Sequence, residues 1–261
     1  LDNDSSGDAA RFMQNPHGIV LKCELLILLP MPFDQIQTIL VPQGAEYRAV
    51  CRGLRHHPSP PEVLAIPVGP TALRRFLQAQ VQAGYFSNCA AVLVMGLCGS
   101  LVPQLGIADW VLYQNCRSWQ RPTDPEAIHG CDRTLTEQIQ TKLCDRALLV
   151  KAFTSDRVIY SAQEKQTLAQ NHGVEVVDME GFPALELLTQ AGIAVAMLRV
   201  VSDDCQHDVP DLTAAINPNG GLQIGAMLWR LLRQPIAGFR LIRGSLHGLK
   251  ALQDVTVAAF Q

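Results

Sequence analysis

The chain has 261 residues, 48% of them hydrophobic and 17% charged, with 21 basic against 24 acidic side chains and a formal net charge of −3. This composition excludes large-scale disorder and suits one large α/β domain or two small ones. It lacks the concentrated positive field that nucleic acid or an anionic membrane demands, so the expected partner is a small molecule or another protein.

Residues 1–35 read as an N-terminal extension. Their apolar run over 23–29 is too short to span a bilayer, and Asp2, Asp4 and Asp8 stand where a secretory leader carries positive charge. A soluble, cytoplasmic protein without membrane insertion is therefore expected. The eight cysteines, Cys23, Cys51, Cys89, Cys98, Cys116, Cys131, Cys144 and Cys205, contain no Cys-x-x-Cys pair. They read as reduced thiols rather than a zinc site or a disulfide framework, and neither a metal nor a cofactor is expected.

From residue 37 onward, aliphatic runs alternate with segments of helical period, the pattern of an α/β protein with a mostly parallel sheet. Strands are predicted over 38–41, 63–67, 91–95, 110–113, 148–153, 174–177 and 195–201. Several are apolar at every position, as strands covered on both faces are. Helices are predicted over 71–83, 161–171, 181–189, 222–232 and 236–252. In the first of these, Leu73, Phe76, Leu77 and Val81 recur at helical spacing while Arg74, Arg75, Gln78 and Gln82 are left for water. Gln234-Pro235 breaks the last two apart. The resulting division is an extension over 1–35, an α/β domain over 36–234 and a C-terminal helical segment over 235–261.

Polar chemistry collects where four of these strands end. After the first strand comes Gly44-Ala45-Glu46-Tyr47-Arg48; a glycine there lets backbone N–H groups approach a ligand, and a helix starting there turns its positive end toward anions. The third strand runs into Gly96-Leu97-Cys98-Gly99, a loop of small residues against which a flat ring or a sugar can lie. Val177-Asp178-Met179-Glu180 closes another strand with two carboxylates around a thioether, and a glutamate so placed can accept from two sugar hydroxyls. The last strand ends in Ser202-Asp203-Asp204, where burial would fit an aspartate for general acid work near neutral pH. Each motif alone is also readable as an ordinary turn, helix start or N-cap. Their carboxyl ends, however, lie along one edge of a single sheet.

Taken in this order, Gly44-Ala45-Glu46-Tyr47-Arg48, Gly96-Leu97-Cys98-Gly99, Val177-Asp178-Met179-Glu180 and Arg199-Val200-Val201-Ser202-Asp203 resemble the purine nucleoside phosphorylase and methylthioadenosine/adenosylhomocysteine nucleosidase superfamily, over most of the chain. The resemblance implies a single α/β domain with a central mixed, mostly parallel, partly closed sheet surrounded by helices, assembled as a homo-oligomer. It implies cleavage of the N-glycosidic bond of a purine ribonucleoside, with adenine as the expected base. Carried over by position, Asp203 is the acid that protonates purine N7 and Ser202 holds it. Glu180 binds the ribose hydroxyls with Met179 against the sugar, and Arg199 supports the strand end. Cys98, Gly99 and Phe153 or Val158 complete the purine pocket. For the nucleophile the resemblance leaves two sets: Glu46 to activate water, or Gly44, Arg48, Gly96 and Leu97 to hold phosphate as co-substrate.

Val94 stands where a second phosphate-binding arginine is expected and Leu97 where a serine is, which favours water and keeps phosphorolysis as the alternative. The spacing through Val209-Pro210 resembles most the phosphorylase-type proteins associated with hopanoid lipid biosynthesis, which implies an adenosyl-lipid as another substrate. Phe239, Leu241, Ile242, Leu246 and Leu249 then form either an apolar approach to the ribose 5′ position or an ordinary packed helix face. A third reading is a nucleoside-binding protein without turnover. A dinucleotide-binding domain finds no support, because no Gly-x-Gly-x-x-Gly opens a helix.

Overall fold

The alternation of apolar side chains along the third predicted strand organises the protein. In the computed structural model, which describes residues 36–118, 127–211 and 234–261, this strand is β3, Ala91–Ser100, preceded by β1 (Ile36–Pro42) and β2 (Glu62–Ile66). Ala91, Leu93 and Met95 enter one hydrophobic cluster, whereas Val92, Val94 and Cys98 enter another on the opposite face. That is the period of a strand covered on both sides.

Beyond β3 lie β4 (Trp110–Ser118), β5 (Ala127–Gly130), β6 (Leu148–Thr154), β7 (Val176–Asp178) and β8 (Ala194–Asp203). β3 pairs in parallel with β8, β8 antiparallel with β4, β4 and β6 in parallel, β6 and β7 in parallel, and β7 antiparallel with β3. These five strands close on themselves, while β2 and β1 extend from β3 and β5 extends from β4. The sheet is therefore mixed, mostly parallel and partly closed. One edge of β3 is shared: β1 pairs with it from Ala91 to Val94, and β7 pairs with it only at Gly99 and Ser100. Between these partners the edge of β3 is open.

Helices α1 (Ala45–Gly53), α2 (Pro70–Gln82), α3 (Arg133–Lys142), α4 (Ala162–His172), α5 (Gly181–Gln190) and α6 (Pro235–Phe260) cover the sheet. Ala49 and Val50 of α1 share the first cluster with Leu252, Val255 and Ala259 of α6, and Leu73 and Leu77 of α2 share the second with Phe182, Leu185 and Leu188 of α5. No described helix is long and apolar enough to cross a membrane.

The structure revises several predicted boundaries. β3 does not end at Met95 but runs through both glycines to Ser100, because β8 stays paired with it as far as Gly99. β8 likewise carries Ser202 and Asp203 within the strand. The C-terminal helix continues past Leu252 to Phe260, its last turns buried against α1. α3 and β5 were not predicted; α3 is capped by Asp132, whose Oδ1 accepts from Leu135 N at 2.8 Å. The helix predicted over 222–232 and the extension over 1–35 lie outside the described residues.

Candidate active site

The open stretch of the β3 edge gathers the charged groups. Glu46 sits in the first turn of α1, and its Oε2 accepts a hydrogen bond from Leu97 N at 2.8 Å. The carboxylate thus takes a backbone donor that no strand uses. At Gly96, φ is +156°, and an added Cβ would fall 2.5 Å from that same Oε2 and collide with Arg199 Nη1. Only glycine lets the carboxylate and the guanidinium meet across the strand.

Arg199 lies on β8 and is completely buried. Its Nη2 stands 3.3 Å from Asp178 Oδ2 and its Nη1 3.7 Å from Glu180 Oε2, so one cation faces three carboxylates. Glu180 ends the β7 connection, and its Oε1 accepts from Gly69 N at the start of α2, 3.1 Å away. Met179 places its Sδ-methyl beside Gly69. Asp178 is held from below: its Oδ1 accepts from Thr154 Oγ1 at 2.7 Å and from Gly181 N at 3.1 Å.

This crowding moves ionisation. Burial, reinforced by the charge of Glu180 and opposed by Arg199, pushes Glu46 up to about 7. Burial does the same for Glu180, against the pull of Arg199 and with a push from Asp178, also to about 7. Both carboxyls can take or release a proton near neutral pH, as a general base must.

The acid motif lies farther along the same strand. Gly99 carries no side chain, and an added Cβ there would fall 3.1 Å from Asp203 Oδ2 and 3.3 Å from Oδ1, so the carboxyl group lies over the glycine backbone. Ser202 Oγ stands 3.0 Å from Asp203 Oδ1 and 3.2 Å from the Cys98 carbonyl oxygen. Asp203 thus lies beside Gly99, three residues beyond the glycine that faces Glu46. Ser202 is backed by α6, which approaches it at Gly244 and Gly248.

The expected site residues therefore divide. Glu46, Gly96, Leu97, Cys98, Gly99, Met179, Glu180, Ser202 and Asp203 come together around the second half of β3, with Glu46 at its open edge and Ser202 and Asp203 on the neighbouring β8. Val158 lies half-buried on the loop after β6, and that loop is tied to the one after Asp203 through Val209 N and Tyr160 O at 2.9 Å. Phe153 is elsewhere: its ring is wholly buried with Leu168 and Val174 and lies 5.2 Å from His172. Gly44 caps α1, and Arg48, one turn further on, is exposed. Val94 is fully buried in the second cluster. Of the C-terminal stripe, Phe239, Ile242 and Leu246 are exposed whereas Leu241 and Leu249 are half-buried.

Sequence reasoning missed Gly69 and Lys165. Gly69 stands at a strand exit just before Pro70, a helix start like the one at Gly44. Lys165 is one of the two buried residues of α4, the other being Leu168. A lysine three residues before a leucine on the face that must be buried was the available signal.

A family model for the phosphorylase superfamily matches residues 39–233. No curated protein matches the chain. Among solved structures, futalosine hydrolase of Helicobacter pylori is similar at 14% identity with a TM-score of 0.62, over 85% of this chain and 95% of that one. A 5′-methylthioadenosine/S-adenosylhomocysteine nucleosidase from Helicobacter pylori is similar at 14% identity with a TM-score of 0.61, over 84% and 94% of the two chains. A variant of a Helicobacter pylori nucleosidase with 5′-methylthioadenosine in its active site is similar at 15% identity and a TM-score of 0.58, over 85% and 97%.

Proposed function

Because this chain belongs to the phosphorylase superfamily, a group of enzymes that cleave N-glycosidic bonds, we propose that it hydrolyses a purine ribonucleoside, with water as the nucleophile and adenine as the leaving base. The observation that carries this reading is the hydrogen bond from Leu97 N to Glu46 Oε2. A phosphate bound at the open edge would need that N–H, and the carboxylate already occupies it.

Charge argues the same way. Glu46, Glu180 and Asp178 surround a single guanidinium, so the pocket is negative on balance when its carboxyls are ionised. Like charges at 4 Å repel by about 4 kcal/mol at an effective dielectric of about 20. A phosphate dianion would meet that cost twice over, and Arg48, exposed on α1, does not relieve it. Water meets none of it.

In this reading Glu180 accepts from the ribose hydroxyls while Met179 lies against the sugar. Cleavage breaks the bond from C1′ to N9 and sends its electron pair into the base, and Asp203 supplies a proton to N7. Water attacks C1′ and gives its proton to Glu46. General acid and base steps of this kind each supply roughly 10²- to 10⁴-fold. The methylthioadenosine nucleosidases among the similar structures support adenine, and the position of the Asp203 carboxyl group over Gly99 supports protonation at N7.

The test is release of free base from 5′-methylthioadenosine, S-adenosylhomocysteine, adenosine and inosine, with and without inorganic phosphate. Equal rates in both buffers, with the adenine nucleosides preferred, are expected. Release that needs phosphate would replace hydrolysis by phosphorolysis, and no release from any of the four would make this a binding protein.

A further inference from the structure

Behind Asp203 stands a lysine that the reading above does not use. Lys165 projects from α4 and is completely buried, while Asp203 is 18% exposed. Its ammonium donates to Asp203 Oδ2 and, at 2.7 Å, to the Asp204 carbonyl oxygen. With Ser202 Oγ beside Oδ1, both oxygens of Asp203 have a protein partner, and the one on Oδ2 is a cation. A carboxylate ion-paired in this way has no proton of its own to give to a base. The proton needed at N7 must come from a donor behind it.

We propose that Lys165 is the proton reservoir of the reaction, passing one ammonium proton through the Asp203 carboxyl group to the leaving base. This rests on the hydrolase reading of the same site. The bookkeeping balances. As C1′–N9 breaks, an Nζ–H bond of Lys165 breaks and its proton passes to the Asp203 carboxylate, whose O–H bond breaks in turn as the N–H bond forms at N7, leaving a neutral amine beside a carboxylate. Water adds to C1′ and its proton goes to Glu46. Glu46 then loses that proton to solvent, and Lys165 regains one through the part-exposed Asp203. A lysine suits the task because its proton is labile in a way that an arginine's is not. The other titratable groups around Nζ are few. Asp203, Asp204 and Cys205 approach from the end of β8 and the loop beyond it. On α4 itself, Glu164 is paired with Arg157. From β3, Cys98 neighbours Asp203, and Asp204 is engaged by His207.

The experiment is the pH profile of kcat for the wild type, Lys165→Met and Lys165→Arg, with base release as readout. In the wild type, kcat rises as Glu46 ionises, near pH 7, and does not fall again directly above it. A wild-type kcat that instead declines from pH 7 upward would identify a carboxyl donor and overturn the proposal. Lys165→Met should lower kcat at pH 8 by roughly 10²-fold or more, with KM changed less than about threefold. Lys165→Arg keeps the positive charge and the grip on Asp203 without a labile proton, and it should not restore the rate. Rescue by arginine to within about threefold of wild type would reduce Lys165 to a structural anchor. Should Lys165→Met fail to fold, the wild-type profile and the arginine variant still decide. A wild type that releases no base overturns the hydrolase reading and this one with it, whereas an active wild type with either contrary outcome overturns this one alone.

Discussion

The two halves of β3 share one strand and one alternating period, yet they do different work. From Ala91 to Val94, β1 and β8 take both edges, and every side chain through Met95 is buried in an apolar cluster. From Gly96 to Cys98, β8 continues but β1 has left and β7, which joins at Gly99, has not yet arrived, and the free N–H of Leu97 is taken by a carboxylate. The first half builds stability from packing. The second half gives up an ordinary ladder partner, places three carboxylates around one buried arginine, and gains groups that ionise near neutral pH. The candidate site lies where pairing lapses, not where the chain loses its strand conformation.

Substitutions in the two halves should therefore separate rate from stability. Gly96→Ala drives a methyl group into Glu46 Oε2 and Arg199 Nη1; displacing a reacting group by about 1 Å costs on the order of 10²-fold, so base release should fall at least that far. Leu93→Ala, three residues earlier and fully buried, should lower unfolding free energy by about 2–5 kcal/mol in urea titrations while kcat per folded molecule stays unchanged. If Leu93→Ala lost rate and Gly96→Ala lost only stability, the division of β3 would be wrong.

Proton linkage sharpens the contrast. Glu46 and Glu180 have ordinary values of 4.5 and are raised to about 7 in the fold. Between those limits the folded state binds more protons than the unfolded state, so stability contributed by these groups is full below about pH 4.5 and is lost as pH rises through about 7. Urea midpoints measured at pH 5 and pH 8 should fall with pH, and Glu46→Gln should flatten that fall. A steeper fall in the variant would contradict the assignment. The smallest effect belongs to Arg48→Met. Its side chain is exposed on α1, so stability should change by less than about 0.5 kcal/mol, with no new dependence of base release on phosphate.

Much of this arrangement was legible before any coordinates. Apolar runs marked seven of the eight strands, and four polar strand ends in family order marked Glu46, Glu180 and Asp203. What stayed hidden depends on who pairs with whom. The passage of β3 through Gly96 and Gly99 could not be read, because glycines at a strand end look the same whether the chain turns or stays extended beside a partner such as β8. Phe153 and Val158 lie five residues apart, and only the packing of α4 over β6 decides that the aromatic ring goes to the core. Lys165 escaped because a lysine inside a helix reads as solvated until its acidic partner, 38 residues away, is brought to it.

The most direct measurement is the rate of base release by Glu46→Gln, on whichever of the four nucleosides the wild type cleaves fastest, in buffer free of phosphate. The amide keeps an acceptor for Leu97 N and removes a buried charge, so the variant should fold at least as well as the wild type at pH 8. Its kcat should fall by roughly 10²- to 10⁴-fold with the fold intact. A rate within about twofold of wild type would show that the carboxylate at the open edge of β3 is not the group that activates water.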